Sequence, residues 1–327
     1  MTHDDSTFVN VIDWAVGDPP LQQQRLCAAI GNFDGVHRGH QKVIQAACSH
    51  AVTHNLTPAV ITFDPHPREF FRQDDVPFHL ADRHEKDRLL GQLDVEHIIH
   101  VTFDDVLRRT DAKAFVTDIL PALGVTQLFA GSDFAFGRGR GGDMDTINEI
   151  GRSVHITATT VPLLIDDNSV VISSSRIRAA LQAGAPEQAT TMLGHDWAIS
   201  GIVQTGDKRG RTIGFPTANI PLGTLLNPAF GVYAVQVFDD DGSSNGQFIA
   251  NGVANIGIRP TFETRDVLCE THLFDFDGNL YGRRLSVRLK SFLRAERKFS
   301  GLEELKEQIA KDASDARHIL PATQKIA

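Results

Sequence analysis

The sequence is poor in cysteine, in positive charge relative to negative, and in long apolar runs, and each shortage removes a class of protein. Its three cysteines, Cys27, Cys48 and Cys269, are odd in number and scattered over 327 residues. That spacing argues against a disulfide framework and suits a reducing cytoplasm, with buried thiols as the plain reading. Lys and Arg number 32 against 41 Asp and Glu, a formal charge of −9. Free duplex nucleic acid is therefore a poor partner, while nucleotide-sized ligands stay open. No apolar run approaches the ~18 residues of a membrane span, and Met1-Thr2-His3-Asp4-Asp5 lacks the basic start and apolar core of a signal peptide. A cytoplasmic protein with no membrane partner is expected. The phosphate loop G-x-x-x-x-G-K-[ST] is missing as well.

What is present begins with Ala28-Ala29-Ile30-Gly31-Asn32-Phe33-Asp34-Gly35-Val36-His37-Arg38-Gly39-His40. A short apolar run ends in a Gly-rich turn and opens a helix from Gln41 to about Val52, with Val43, Ile44 and Ala47 at helical spacing. A helix start offers unpaired N–H groups and a positive dipole end, and the glycines allow close backbone approach, so the turn suits a phosphate. His37 and His40 flank that start and can face charge developing on a phosphoryl group. Partly buried structural histidines, or half of a metal site without its other half, are the competing readings.

The first half then alternates strand and helix: a strand at Pro58–Phe63, the rigid Asp64-Pro65-His66-Pro67, a helix at Asp82–Leu93, a strand at His97–Phe103, a helix at Ala112–Leu123 and a strand at Thr126–Ala130. Alternation without hairpins predicts a doubly wound parallel sheet. In such a sheet the loops after the strands face the ligand, which places Asp64–Pro67 beside the first turn, with His66 as a loop residue. Gly137, Gly139 and Gly142 match G-x-G-x-x-G by chance, since no helix starts from a strand there. Asp133, just past a strand end, can bind a polar ligand edge or simply form a turn. Val170–Ile172 is predicted as a strand running into a Ser-capped helix whose first turn carries Arg176 and Arg178. Cations there oppose the dipole preference, so an anionic ligand is expected to offset them.

Gln182–Gly194 carries a Gly/Pro break and a short helical stretch and is predicted as a connector. Beyond it the pattern changes to short runs rich in Val, Ile and Phe: Ala198–Thr205, Gly231–Phe238, Phe248–Gly257, Leu268–Phe276 and Leu285–Phe292. These predict an antiparallel barrel, with a final helix from Leu302 to about Ile319 covering one end. Inside this half, Gly206-Asp207-Lys208-Arg209-Gly210-Arg211-Thr212-Ile213-Gly214-Phe215-Pro216-Thr217-Ala218-Asn219 is either a solvated basic hairpin or a loop that wraps phosphates and holds a hard metal through Thr217 and Asn219. Glu270 alternates with apolar neighbours and reads equally as a solvent-side carboxylate.

The motifs G-N-F-D-G-V-H-x-G-H, T-F-x-P-x-P, G-x-D-F-x-F-G, I-S-S-x-R-I-R and G-x-x-x-G-R-x-x-G-F-P-T-A-N together resemble the bacterial bifunctional riboflavin kinase/FMN adenylyltransferase family, over nearly the whole chain. Asn251–Phe262, Tyr281-Gly282 and Arg294–Phe299 are similar to family segments too, and Ser175 stands where the family usually has Thr. The resemblance implies an α/β nucleotidyltransferase domain at 1–184, a connector at 185–194, and a β-barrel riboflavin kinase domain with a terminal helix at 195–327. It implies ATP, riboflavin, FMN and FAD as substrates or products, Mg²⁺ as cofactor, and a homo-oligomer as an open option. His37 and His40 would then serve adenylyl transfer and Glu270 would be the kinase base. Gly31, Asn32, Phe33, Asp133, Ser174, Ser175, Arg178, Gly206, Lys208, Arg211 and Gly214 would bind nucleotide or flavin, and Thr217 and Asn219 the metal.

Overall fold

The computed structural model describes residues 9–21, 25–72, 76–205, 217–240, 246–260 and 265–321. The chain forms two compact units, one of residues Met1–Asp75 with Lys86–Ile172, the other of Val76–Glu85 with Ser173–Ala327.

The first unit is built on strands β1 (Asn10–Trp14), β2 (Leu26–Ile30), β3 (Thr57–Asp64), β4 (His97–Thr102), β5 (Val125–Gly131) and β6 (Thr157–Val161), in the order β1-β4-β3-β2-β5-β6. Every pairing is parallel. All five residues of β2 are buried, as a central strand covered on both faces requires. Ala28 and Ile30 pack into one core with Phe115, Leu120 and Leu128, while Cys27 and Ala29 pack into another with Val43, Ile44 and Ala47. The side-chain period of two divides one strand between two layers.

The second layer's helix is α1 (Arg38–His54), which buries Val43, Ile44, Ala47, Cys48 and Ala51 and ends at Asn55, whose left-handed backbone donates its N–H to the Ala51 carbonyl. Further along lie α2 (Pro67–Phe71), α3 (Arg83–Gly91), α4 (Asp105–Arg109), α5 (Ala112–Ala114), α6 (Leu120–Ala122) and α7 (Met144–Gly151). The single helix predicted over Ala112–Leu123 is interrupted by a π-turn at Phe115–Ile119. Pro121 has no N–H to donate one turn back, and the ladder widens just before it. The strand predicted at Val170–Ile172 is not one: Val171 forms only an isolated bridge with Ile165. Asp166 Oδ1 accepts the N–H groups of Asn168 and Val170, closing a turn too tight to leave room for a ladder.

The second unit contains α8 (Ser174–Gln182) and α9 (Pro186–Leu193), then strands β7 (Ala198–Ile202), β8 (Ala218–Pro221), β9 (Gly231–Asp239), β10 (Gln247–Pro260), β11 (Arg265–Leu273) and β12 (Arg284–Ala295). They pair antiparallel in the order β7-β12-β9-β10-β11-β8. A bridge between Gln204 and Asn219 brings the two ends of the sheet together, so the predicted barrel is nearly closed. Tyr233, Val235, Val237, Ile220, Cys269, Leu285, Val287 and Leu289 are buried, filling the interior as a small barrel requires. The terminal helix α10 (Leu302–Ile319) packs Ala316 against Val232, Ala234, Val253 and Phe274. Its apolar stripe continues through Leu305 and Ile309, but these stay half-exposed while Asp312 and Ala316 are buried. The helix therefore covers the outer face of the sheet with its C-terminal half.

Residues Val76–Glu85 belong by contact to this second unit. The His79 N–H donates to Thr224 O and the Leu226 N–H to His79 O, Trp197 Nε1 donates to Leu80 O at 2.7 Å, and Arg284 pairs with both Asp82 and Asp240.

Candidate functional site

The parallel sheet reverses its order beside β2, with β3 on one side and β5 on the other. Ligands of open α/β sheets lie at such a switch point, beyond the carboxyl ends of the strands. The segment leaving β2 there is Gly31–His37. It turns sharply, with Phe33, Gly35 and Val36 all at positive φ, and Phe33, Asp34 and Val36 are nevertheless buried. At Gly31 an added Cβ would lie 3.1 Å from the Phe33 ring; the missing side chain is the space the ring occupies.

His37 is the N-cap of α1: its Nδ1 accepts the His40 N–H at 3.3 Å. An accepting Nδ1 carries no proton, so the ring N–H of neutral His37 is at Nε2. The His37 and His40 rings stack with centroids 3.5 Å apart and 16° between planes, and Phe33 meets His40 edge-on at 5.3 Å. At Gly39 an added Cβ would stand 3.0 Å from His37 Cε1, so only glycine leaves the capping ring its place without a shift. The two histidines are thus one stacked pair at a helix start, with His37 buried. His66 caps α2 through Nδ1 to the Arg68 N–H at 3.0 Å, in keeping with its reading as a loop residue.

Asp133 follows β5, the neighbour of β2, and its Oδ1 lies where a Cβ on Gly131 would come within 2.9 Å. Two features of this unit were not read from the sequence. Thr62 Oγ1, fully buried on β3, donates to the Asn32 carbonyl at 3.2 Å and accepts from Lys86 Nζ at 3.3 Å, tying an ammonium group to the signature turn. Phe63, Phe70, Phe71 and Phe103 meet edge-on with centroids between 5.4 and 6.2 Å, and Phe71 is 60% exposed. The adjacent Phe70-Phe71 after Pro67 was the available signal; nothing in the sequence pointed to Lys86.

In the second unit the hydroxyl capping α8 is Ser173, which accepts the Arg176 N–H. Ser174 and Ser175 occupy the first turn. Arg178 Nε donates to Phe78 O at 2.7 Å and its guanidinium lies over the Phe78 ring, so part of this side chain anchors the 76–85 segment. Gly206, Lys208, Arg211 and Gly214 lie outside the described residues.

On the barrel, Asn219 of β8 and Glu270 of β11 are direct cross-strand partners. Opposite residues of an antiparallel pair share a face with Cβ atoms ~5 Å apart. The backbone carbonyl of Asn219 accepts the Gln204 N–H at 2.9 Å, while its buried Oδ1 has no hydrogen-bond partner among the described residues. Leaving a buried amide oxygen unsatisfied costs about 1–3 kcal/mol. Thr217, half-buried, sits two residues before it. Burial pushes the thiols of Cys27 and Cys269 up to about 12 and that of Cys48 to about 11, so none is a thiolate nucleophile near neutrality.

Two family models cover almost the whole length. FAD synthetase matches residues 20–176 and riboflavin kinase residues 193–320. The bifunctional riboflavin kinase/FMN adenylyltransferase of Escherichia coli (strain K12) is 40% identical over 92% of this chain and 95% of its own length. That of Bacillus subtilis (strain 168) is 40% identical over 90% and 92%. This chain belongs to that family. Among solved structures, a crystal structure of a macrolide-efflux protein from Streptococcus pneumoniae is 28% identical, with a TM-score of 0.82, covering 94% of this chain and 99% of that one. Efflux is named for that protein alone; among the described residues here, no helix is long and apolar enough to cross a membrane. The FAD synthetase match includes Val76–Glu85, the segment that packs in the second unit.

Proposed function

We propose that this member of the family makes FAD from riboflavin in two steps, phosphorylating riboflavin with ATP in the second unit and adenylylating FMN with ATP in the first. The observation that carries the kinase reading is the pairing of Glu270 with Asn219 on one face of the barrel. An alcohol must lose its proton as it attacks the γ-phosphoryl group, and a carboxylate beside the reacting hydroxyl accepts it. Thr217 and Asn219 supply hard oxygen donors, and the unsatisfied Asn219 Oδ1 fits a role as metal ligand. Bound there, Mg²⁺ would neutralise charge on the phosphoryl oxygens. Gly206, Lys208, Arg211 and Gly214 are assigned to the ATP phosphates on their motif alone.

Adenylyl transfer asks for different help. The FMN phosphate is already ionised at neutral pH, so it needs alignment with the α-phosphate and stabilisation of charge, not a base. The His37 Nε2–H, His40 and the amides at the start of α1 are the groups assigned to that charge, with Gly31, Asn32 and Phe33 forming the turn under the nucleotide. Asp133 is assigned to ATP from its place after β5, and Ser174, Ser175 and Arg178 on their I-S-S-x-R-I-R motif alone. The edge-on aromatic cluster around exposed Phe71 offers an apolar platform of the kind a flavin ring stacks on. Three free, buried cysteines support a reducing cytoplasm as the location.

The test is incubation of the pure protein with riboflavin, ATP and Mg²⁺, with flavins resolved by chromatography. FMN should appear first and FAD second. Riboflavin left unchanged while ATP binds tightly would overturn the reading in favour of a nucleotide sensor.

A further inference from the structure

The polar file on the barrel does not stop at Glu270. On its other side Glu270 faces Asn255 of β10, and Asn255 in turn faces Val232 of β9. Four side chains thus cross the same sheet face at intervals of ~5 Å. Asn219 stands at the hard-donor end, then the carboxylate, then a second carboxamide, then an apolar residue. Val232 belongs to the cluster under α10 with Val253 and Ala316, so the file runs from a metal-like donor to a hydrophobic floor.

Asn255 is half-buried, and its carboxamide has no hydrogen bond to any other side chain or to the backbone among the described residues. It does not brace Glu270. A carboxamide offers one acceptor and two donors, and a half-buried one held on a long strand between a carboxylate and an apolar floor is placed to meet a polar ligand. At the neighbouring position on the same face, Gly257, an added Cβ would lie 2.0 Å from Glu296 Oε1, so the Glu296 carboxylate fills the space over this glycine. Asn255 therefore stands between two carboxylates, Glu270 across the strands and Glu296 further along the same face.

A substrate matching this sequence of environments carries its reacting hydroxyl at one end, further hydroxyls behind it and an apolar ring at the other end. Riboflavin, with its polyol chain between ring and terminal hydroxyl, has that order. Resting on the reading of this unit as a riboflavin kinase, we propose that Asn255 is a specificity-determining residue, hydrogen-bonding an inner hydroxyl of the polyol and so fixing the terminal one at Glu270. A site that pairs a substrate hydroxyl discriminates strongly against analogues lacking it, because its own polar group is then left unpaired.

The test uses the full chain with Asn255→Leu and the nearly isosteric Asn255→Asp. Kinetics are measured with riboflavin, and binding with lumiflavin, which has the ring but no polyol. For both variants kcat/KM for riboflavin should fall about 10- to 100-fold, with KM for ATP, lumiflavin affinity and FAD formation from supplied FMN unchanged. A wild-type preference for riboflavin over a flavin whose inner hydroxyls are removed should shrink by the same factor in the Leu variant. Riboflavin kinetics within twofold of wild type in the Asp variant, or equal weakening for lumiflavin, would overturn the proposal and leave the kinase reading intact. A wild-type protein that phosphorylates no riboflavin overturns both.

Discussion

We assign His37 two duties that the sequence shows as one letter. Its Nδ1 closes the first turn of α1 by accepting the His40 N–H, which puts the ring N–H of the neutral imidazole at Nε2. Loss of a cap costs about 1 kcal/mol, whereas loss of a donor aimed at developing charge costs about 10²–10³ in rate. His37→Asn keeps a capping oxygen and removes the distal N–H, so the two duties separate. We expect its thermal midpoint to stay within about 2 °C of wild type while FAD formation from FMN drops by about 10²-fold or more. Riboflavin phosphorylation should be unchanged, and an equal drop in both activities would show that the fold had suffered instead. The helix start at His37 was legible in the H-x-G-H spacing. The cap was not, because histidine is a rare cap and only the missing Cβ of Gly39 lets its ring lie across the helix start.

At the scale of elements, period and punctuation were readable where burial was one-sided or complete. The run Leu26–Ile30, α1 and the long strands of the barrel all followed from them. Edge strands were harder: β1 and β6 are mostly exposed, so neither alternation nor an apolar run marks them, and β8 was hidden inside a loop motif. Least legible was the segment Val76–Glu85, since nothing local says that it packs with strands more than a hundred residues later. Its attachment is nonetheless specific. Phe78, Leu80 and Ala81 are buried, the Leu80 carbonyl is satisfied by the Trp197 indole, and buried Asp240 receives both Arg284 and His84. Trp197→Phe keeps most of the buried ring and deletes the indole N–H that donates to the Leu80 carbonyl. That omission should cost about 1–3 kcal/mol, read by calorimetry as a thermal midpoint several degrees lower. Kinase activity at 25 °C should remain near wild type, because the change lies outside the Asn219–Glu270–Asn255 file. An unaltered midpoint would mean that the segment adds no stability to the second unit.

For the whole molecule, the two reactions pose opposite demands on acid–base chemistry, and we propose that the chain meets them with different catalytic residues. Phosphorylating riboflavin deprotonates an alcohol, and Glu270 is the carboxylate at hand; adenylylating FMN starts from an anion, and the stacked histidines offer only N–H groups and charge. Glu270→Gln preserves shape and hydrogen bonding and removes the proton acceptor. We expect it to reduce FMN formation from riboflavin by about 10²–10⁴-fold and to leave FAD formation from supplied FMN at the wild-type rate. With riboflavin as the only flavin, FAD should then accumulate at the residual kinase rate, and adding FMN should restore it at once. If FAD formation from supplied FMN fell along with FMN formation, the carboxylate would serve both reactions, and assigning one chemistry to each unit would be wrong.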